Sequence, residues 1–166
     1  MTRHIFPRHI FLSTALLLPL IPGCSHRTPT DSDLFNQPAA ISTSKLPFNP
    51  LSWRIITTGI DSQQHTMSAL YGNDPAIASA RSSRPTYPEG AVLSLVTWYQ
   101  REDPHWFGGR IPDKVQSIEF VTVGSKDPAT SYQRYEGPDL HQAALQDSDA
   151  AARKMIILSQ RASVMP

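Results

Sequence analysis

Thiols are almost absent from this chain: of its 166 residues only Cys24 is a cysteine. A single thiol leaves no pair for an internal disulfide, no cysteine-rich zinc site and no two-thioether attachment of a haem. Long apolar runs are missing as well. The one candidate, Ile10 to Ile21, is interrupted by Pro19 and is shorter than the roughly 20 residues that a membrane-spanning helix needs. Charge of one sign is not in excess, with 15 Lys and Arg against 14 Asp and Glu. No Gly-rich phosphate loop, Gly-x-Ser-x-Gly elbow or His-Glu-x-x-His occurs, so common NTPase, hydrolase and zinc-protease chemistries have no support. No internal repeat is present.

What is present begins with an export signal. Arg3 and Arg8 form a positive leader, the apolar run follows, and Ile21, Pro22 and Gly23 lead to Cys24. This order reads as a lipoprotein signal over 1–23 with Cys24 as the lipidated residue, its thiol converted to a thioether. Ser25 rather than Asp after the cysteine points to an outer-membrane lipoprotein of the bacterial cell envelope, facing the periplasm. Cleavage removes Arg3 and Arg8, so the mature balance is 13 − 14 = −1. That leaves no basic field for nucleic acid, and the expected partner is the membrane, through the anchor. Ser25 to Phe48 is rich in Ser, Thr, Pro, Asp and Gln and reads as a disordered tether over 24–48. The 118 residues of 49–166 suffice for one domain.

Within that domain, Trp53–Thr58 has the β-branched density of a strand closed by Gly59. Met67, Leu70 and Tyr71 recur at i, i+3 and i+4, which predicts a short helix over 66–71, ended by Gly72 and Asn73 in left-handed conformations. Asp74 is placed to cap a second helix to about Arg81, with Pro75 at its first position and Ile77 and Ala80 inward. Ala91–Tyr99 reads as a central strand covered on both faces, and Val115–Val123 as a second long strand. Between them Gln100–Lys114, with Pro104, Gly108, Gly109 and Pro112, reads as a long functional loop. Tyr132–Tyr135 predicts an edge strand. A last helix starts at Asp147 or Asp149 and reaches Gln160, with Met155, Ile156 and Leu158 as its apolar residues. The fold class is α+β, a mainly antiparallel sheet with peripheral helices.

Trp53-Arg54-Ile55-Ile56, Gly72-Asn73-Asp74 leading into Ala78-Ser79-Ala80-Arg81, and Tyr87-Pro88-Glu89-Gly90-Ala91-Val92-Leu93 follow one another in order. Trp98, Ser117-Ile118-Glu119-Phe120-Val121 and the Met165-Pro166 ending complete the series. In these segments the chain resembles the cytochrome P-460 family over most of 51–166. The resemblance implies a largely β fold with added helices, periplasmic export, a homodimer in many members, and a c-type haem that handles nitrogen oxides or hydroxylamine. Haem-bearing members have Cys-x-x-Cys-His near the C-terminus. The corresponding stretch here, Leu140 to Lys154, has no cysteine and only His141, so covalent c-type haem is excluded and enzymatic activity is not expected.

The candidate ligand-binding residues are Trp98, His105, Trp106, Arg110 and Glu119. His105 and its aromatic neighbours lie in Asp103-Pro104-His105-Trp106-Phe107-Gly108-Gly109-Arg110, either a lid over a pocket or a solvent-facing turn. Glu119, if covered, requires a cation, with Arg54, Arg110 and Arg134 the candidates, and a structural ion pair outweighs a catalytic role. His141 is the candidate ligand for noncovalent haem. His65, His105 and His141 have no metal-ligand spacing, and Asp139, Asp147 and Asp149 lack the pattern of a calcium loop, so no metal site is expected. Three functional readings follow: a small-ligand-binding domain that can include noncovalent haem, a haem-free dimerisation or interaction module, and a b-type haem oxidoreductase acting on nitrogen oxides or hydroxylamine.

Overall fold

Six strands, β1 (Arg54–Asp61), β2 (Thr66–Gly72), β3 (Val92–Glu102), β4 (Arg110–Thr122), β5 (Ser131–Glu136) and β6 (His141–Gln142), form one sheet in the order of the sequence. Every neighbouring pair is antiparallel. The helices α1 (Asp74–Ala80) and α2 (Asp147–Ser159) complete the α+β fold among the described residues, with 3-10 turns at Gln37–Ala39 and Pro50–Ser52. The computed structural model describes residues 30, 34–82, 86–125 and 129–163. The expected signal peptide, Cys24 and the Met165-Pro166 ending lie outside the described residues.

Four expectations about the strands are corrected. Residues 66–71 form strand, not helix: a six-residue helix gains few internal hydrogen bonds, whereas this segment pairs with β1 on one side and β3 on the other. The hairpin turn before it is set by Asp61, whose Oδ1 accepts from the N–H groups of Gln63 and Gln64, both at 2.9 Å. Strand β1 accordingly runs past Gly59 to Asp61. The supposed long loop 100–114 is mostly strand, because β3 and β4 stay paired out to Glu102 and Arg110, with register shifts absorbing the extra residues near Pro112. Strand β5 is not the edge, since the two-residue β6 pairs with it at Tyr135 and Glu136.

Gly72 and Asn73 act otherwise than expected. Gly72 has no left-handed backbone; its value is space, since an added Cβ would meet Ile56 Cδ1 at 2.7 Å and Ala76 Cβ at 2.8 Å. Asn73, not Asp74, is the N-cap of α1, and its Oδ1 accepts from Ala76 N at 3.2 Å and Val92 N at 3.0 Å. Its Nδ2 donates to Gly90 O at 2.9 Å, so one side chain joins helix start, breaker segment and β3.

Apolar residues divide between the two faces of the sheet. On the front, Ile56, Leu70, Leu93 and Val121 pack with Ala76, Ile77 and Ala80 of α1 and with Ile157 of α2. On the back, Val96, Trp98, Ile118, Phe120 and Tyr135 meet Ala39, Ile41 and Leu46. From Asn36 onward the expected tether is therefore packed on the sheet. Trp98 Nε1 donates to Ala39 O at 3.0 Å, and the Phe48 ring lies 5.6 Å from Trp53 and 5.9 Å from Phe120. In α2 the fully buried apolar residue is Ile157, whereas Met155 and Ile156 are exposed.

Candidate functional site

The front face of the sheet changes character along its strands, and the change shapes a cavity. In one cross-strand row the register aligns Gly72, Leu93, Val121 and Tyr132, an apolar row packed under the helices. One step along, Thr57, Leu70, Leu95, Glu119 and Arg134 align. The next row is Gly59, Ser68, Thr97, Ser117 and Glu136, three adjacent hydroxyls with no apolar side chain among them. These two rows, apart from Glu136, form with Asp61, Gln64 and Thr66 the floor of a cavity of about 380 Å³. Its roof is one stripe of α2, since Arg153, Ile156, Ile157 and Gln160 follow at i, i+3, i+4 and i+7.

At the inner end of the cavity Glu119 is fully buried and fully engaged. Arg153 grips it with both arms of the guanidinium, Nε to Oε1 at 2.9 Å and Nη2 to Oε2 at 2.6 Å, and the Tyr132 hydroxyl donates to Oε1 at 2.5 Å. Burial acts to raise the Glu119 carboxyl, but the Arg153 and Tyr132 hydrogen bonds, with the charges of Arg153 and Arg134, hold it below the usual carboxylate range. Burial and the same carboxylate raise Tyr132 well above an ordinary phenol, and the hydrogen bond to Glu119 raises Arg153. An ionised carboxylate with three donors on it is an ion pair of the architecture, not a poised acid or base. Of the cations expected beside it, Arg134 is the register neighbour; Arg54 meets Asp74 at 3.4 Å and Arg110 meets Glu102 at 3.7 Å.

The sequence-derived candidates do not converge. Glu119 belongs to the cavity, but Trp98 lies on the opposite face in the back core. His105, Trp106 and Arg110 lie at the exposed outer end of the β3–β4 hairpin, and His141 is exposed on β6. Strand alternation explains the separation: Trp98 is adjacent to the cavity residue Thr97 and so points to the other face. Sequence reading also passed over Ser68, Thr97, Ser117, Tyr132 and Arg153. The available signals were hydroxyls recurring inside otherwise apolar strands, and an arginine four residues before Ile157 on a single helix face.

A haem, implied by the family resemblance, does not fit these residues. Protein ligands to haem iron are His, Cys, Met or Tyr, and among the described residues none of these lines this cavity. Among the described residues its apolar side chains are Leu70, Leu95, Ile156 and Ile157, outnumbered by hydroxyls, amides and charged groups. No group of three or more His, Cys, Asp or Glu side chains that could hold a metal occurs among the described residues. A second, more open groove lies on the other flank of α2, between Tyr87, Val123, Met155 and Leu158.

No curated protein matches the chain. The family description Cytochrome P-460 matches residues 51–152, from the turn before β1 into the first half of α2. With that match spanning the whole sheet, the chain belongs to the cytochrome P-460 family, whose function is haem-related.

Proposed function

We propose that this is an outer-membrane lipoprotein anchored through Cys24, whose cytochrome P-460 domain binds a small polar ligand between sheet and α2 instead of a c-type haem. The observation that carries the reading is the Ser68, Thr97 and Ser117 row beneath the helix stripe. Ser117 is buried and Ser68 and Thr97 are half-buried, so the row turns polar groups toward the cavity, where a ligand or water can hydrogen-bond with them. About 380 Å³ suits a metabolite-sized molecule. The lining is balanced in charge, Arg134 and Arg153 against Asp61 and Glu119, which favours a neutral or zwitterionic ligand.

Native mass spectrometry of the mature protein, purified gently from cell envelopes, tests this. A non-covalent small-molecule adduct is expected, and it should be lost in Thr97→Leu, where the added bulk enters the cavity. Visible spectra after haemin addition distinguish the haem readings: no Soret band should develop. A band abolished by His141→Ala would instead support a b-type haem protein, and an adduct unaffected by Thr97→Leu would remove the cavity from the reading. The interaction-module reading has its own support in Trp106 and Phe107, which are 74% and 111% exposed.

A further inference from the structure

Trp106 and Phe107 stand at the apex of a rigid turn, not on a loose loop. Gly109 N donates to Trp106 O at 2.9 Å and Asp103 N donates to Gly109 O at 3.0 Å. Gly108 takes φ +76°, as the third position of a tight turn with Phe107 at its second position requires. Behind the apex comes a polar collar. Glu102 pairs with Arg110 at 3.7 Å, and Asp103 Oδ1 accepts from His105 N at 2.8 Å. An aromatic apex in front of polar groups matches the layering of a bilayer interface. Because the turn is already formed, little conformational entropy is lost on insertion.

The anchor-bearing end of the chain arrives at this same hairpin. Asn36 Nδ2 donates to Pro112 O at 2.6 Å, and Arg101 Nη2 donates to Asn36 Oδ1 at 3.0 Å. Leu34 and Phe35, immediately before Asn36, are 63% and 60% exposed. Arg101 precedes Trp106 by five residues, which keeps their backbones within about 18 Å. Cys24 precedes Asn36 by twelve residues, a reach of roughly 40 Å at most.

We infer that Trp106 and Phe107, with Leu34 and Phe35 on the segment that Asn36 fastens to the same hairpin, dock into the lipid surface that holds the Cys24 anchor, fixing the domain with its hairpin end toward the bilayer. The inference rests on the lipoprotein reading. A second copy of the chain is the other occupant such a patch could take. A hairpin tip and two neighbouring side chains, however, fall short of the 20–30 residues per side of a stable protein interface. A bilayer needs no complementary shape, and its interface accepts Trp and Phe at shallow depth.

The full-length protein, expressed with its signal and purified from membranes, is reconstituted into phosphatidylethanolamine–phosphatidylglycerol vesicles containing brominated lipid. Tryptophan quenching should be present in the wild type and lost in Trp106→Ala, with the residual Trp53 and Trp98 emission unaltered as a check on folding. The mass of the Cys24 peptide is measured on the same sample. A lipidated Cys24 with equal quenching in both proteins would overturn the inference alone, while an unmodified Cys24 would overturn the anchor reading and the inference together. Sedimentation showing a dimer that Phe107→Ser dissociates would assign the patch to a second copy.

Discussion

Glu119 shows how a buried charge is accommodated and what that costs the molecule elsewhere. Its carboxylate has no solvent contact and depends on Arg153, a residue 34 positions away whose side chain is one-third exposed. Removing the cation leaves an uncompensated charge in the sheet, so Arg153→Met should destabilise by about 3 kcal/mol, the low end for a buried pair because Arg153 is partly solvated. Urea unfolding at pH 7 measures it. The sign of the pH dependence follows from the lowered carboxyl. The unfolded chain binds the proton first, so the stabilisation is complete above the ordinary glutamate value near 4.3 and is lost as pH falls through the lower folded value. The stability gap between wild type and Glu119→Gln should accordingly narrow between about pH 5 and pH 3. A gap constant over that range would mean that Glu119 is not held as an anion. Tyr132 works in the opposite direction. Raised in the folded state, its contribution is present at neutral pH and fades as pH rises beyond the ordinary phenol value near 10.

At the level of elements, the motifs that carry the family resemblance turn out to be one joint. Gly72-Asn73-Asp74 and Gly90-Ala91-Val92 are distant in sequence, yet Asn73 bonds Val92 N and Gly90 O with its side chain, and its own N–H donates to Val92 O at 3.1 Å. Asn73→Ala should cost about 2 kcal/mol, above the usual helix cap near 1, because β3 loses partners along with α1. Asn73→Asp keeps the acceptor and loses the donor to Gly90, so it should fall between the two in thermal melts. An effect no larger than that of an ordinary cap would show that the link to Gly90 and Val92 adds nothing.

The same scale shows what the sequence made legible. β-branched density located β1, apolar residues on both faces located β3, and Asp74 with Pro75 located α1, although the cap itself is Asn73. The segment 66–71 was misread because Met67, Leu70 and Tyr71 fit a helical face, and pairing partners at 54–61 and 92–102 are invisible to a local window. Glycine and proline hid the outer β3–β4 ladder, where bulges let Pro112 sit inside a strand without breaking the sheet. Glu119 could be singled out as a covered carboxylate, but its partner could not. Arg153 becomes adjacent only once α2 folds across the sheet, a tertiary relation with no short-range signature.

For the whole molecule, the main difference from the sequence reading concerns where the domain starts. Composition placed residues 25–48 in a polar tether, yet from Asn36 this stretch closes the back of the sheet. Ala39, Ile41 and Leu46 pack on Val96, Trp98, Ile118 and Phe120, while Asn36 fastens the β3–β4 hairpin. Sparse apolar residues sufficed because the sheet supplies most of the back core and the strap only has to cover it. A protein beginning at Asn49, the boundary that composition suggests, would lose this cover. Ile41 and Leu46 are only partly buried and Phe48 is exposed but lies near the Trp53 and Phe120 rings, so their contacts are worth roughly 1 kcal/mol each, and the Trp98 indole N–H loses the Ala39 carbonyl for about 1 kcal/mol more. The truncated domain should therefore be less stable by about 4 kcal/mol and expose the aromatic back face. Chemical denaturation of proteins beginning at Thr30 and at Asn49 gives the comparison, with dye binding to exposed apolar surface as the second readout. Equal midpoints for the two would return residues 36–48 to the role of a tether. A large difference would make the strap part of the fold, leaving the proposed Cys24 anchor only the residues before Asn36 as its spacer.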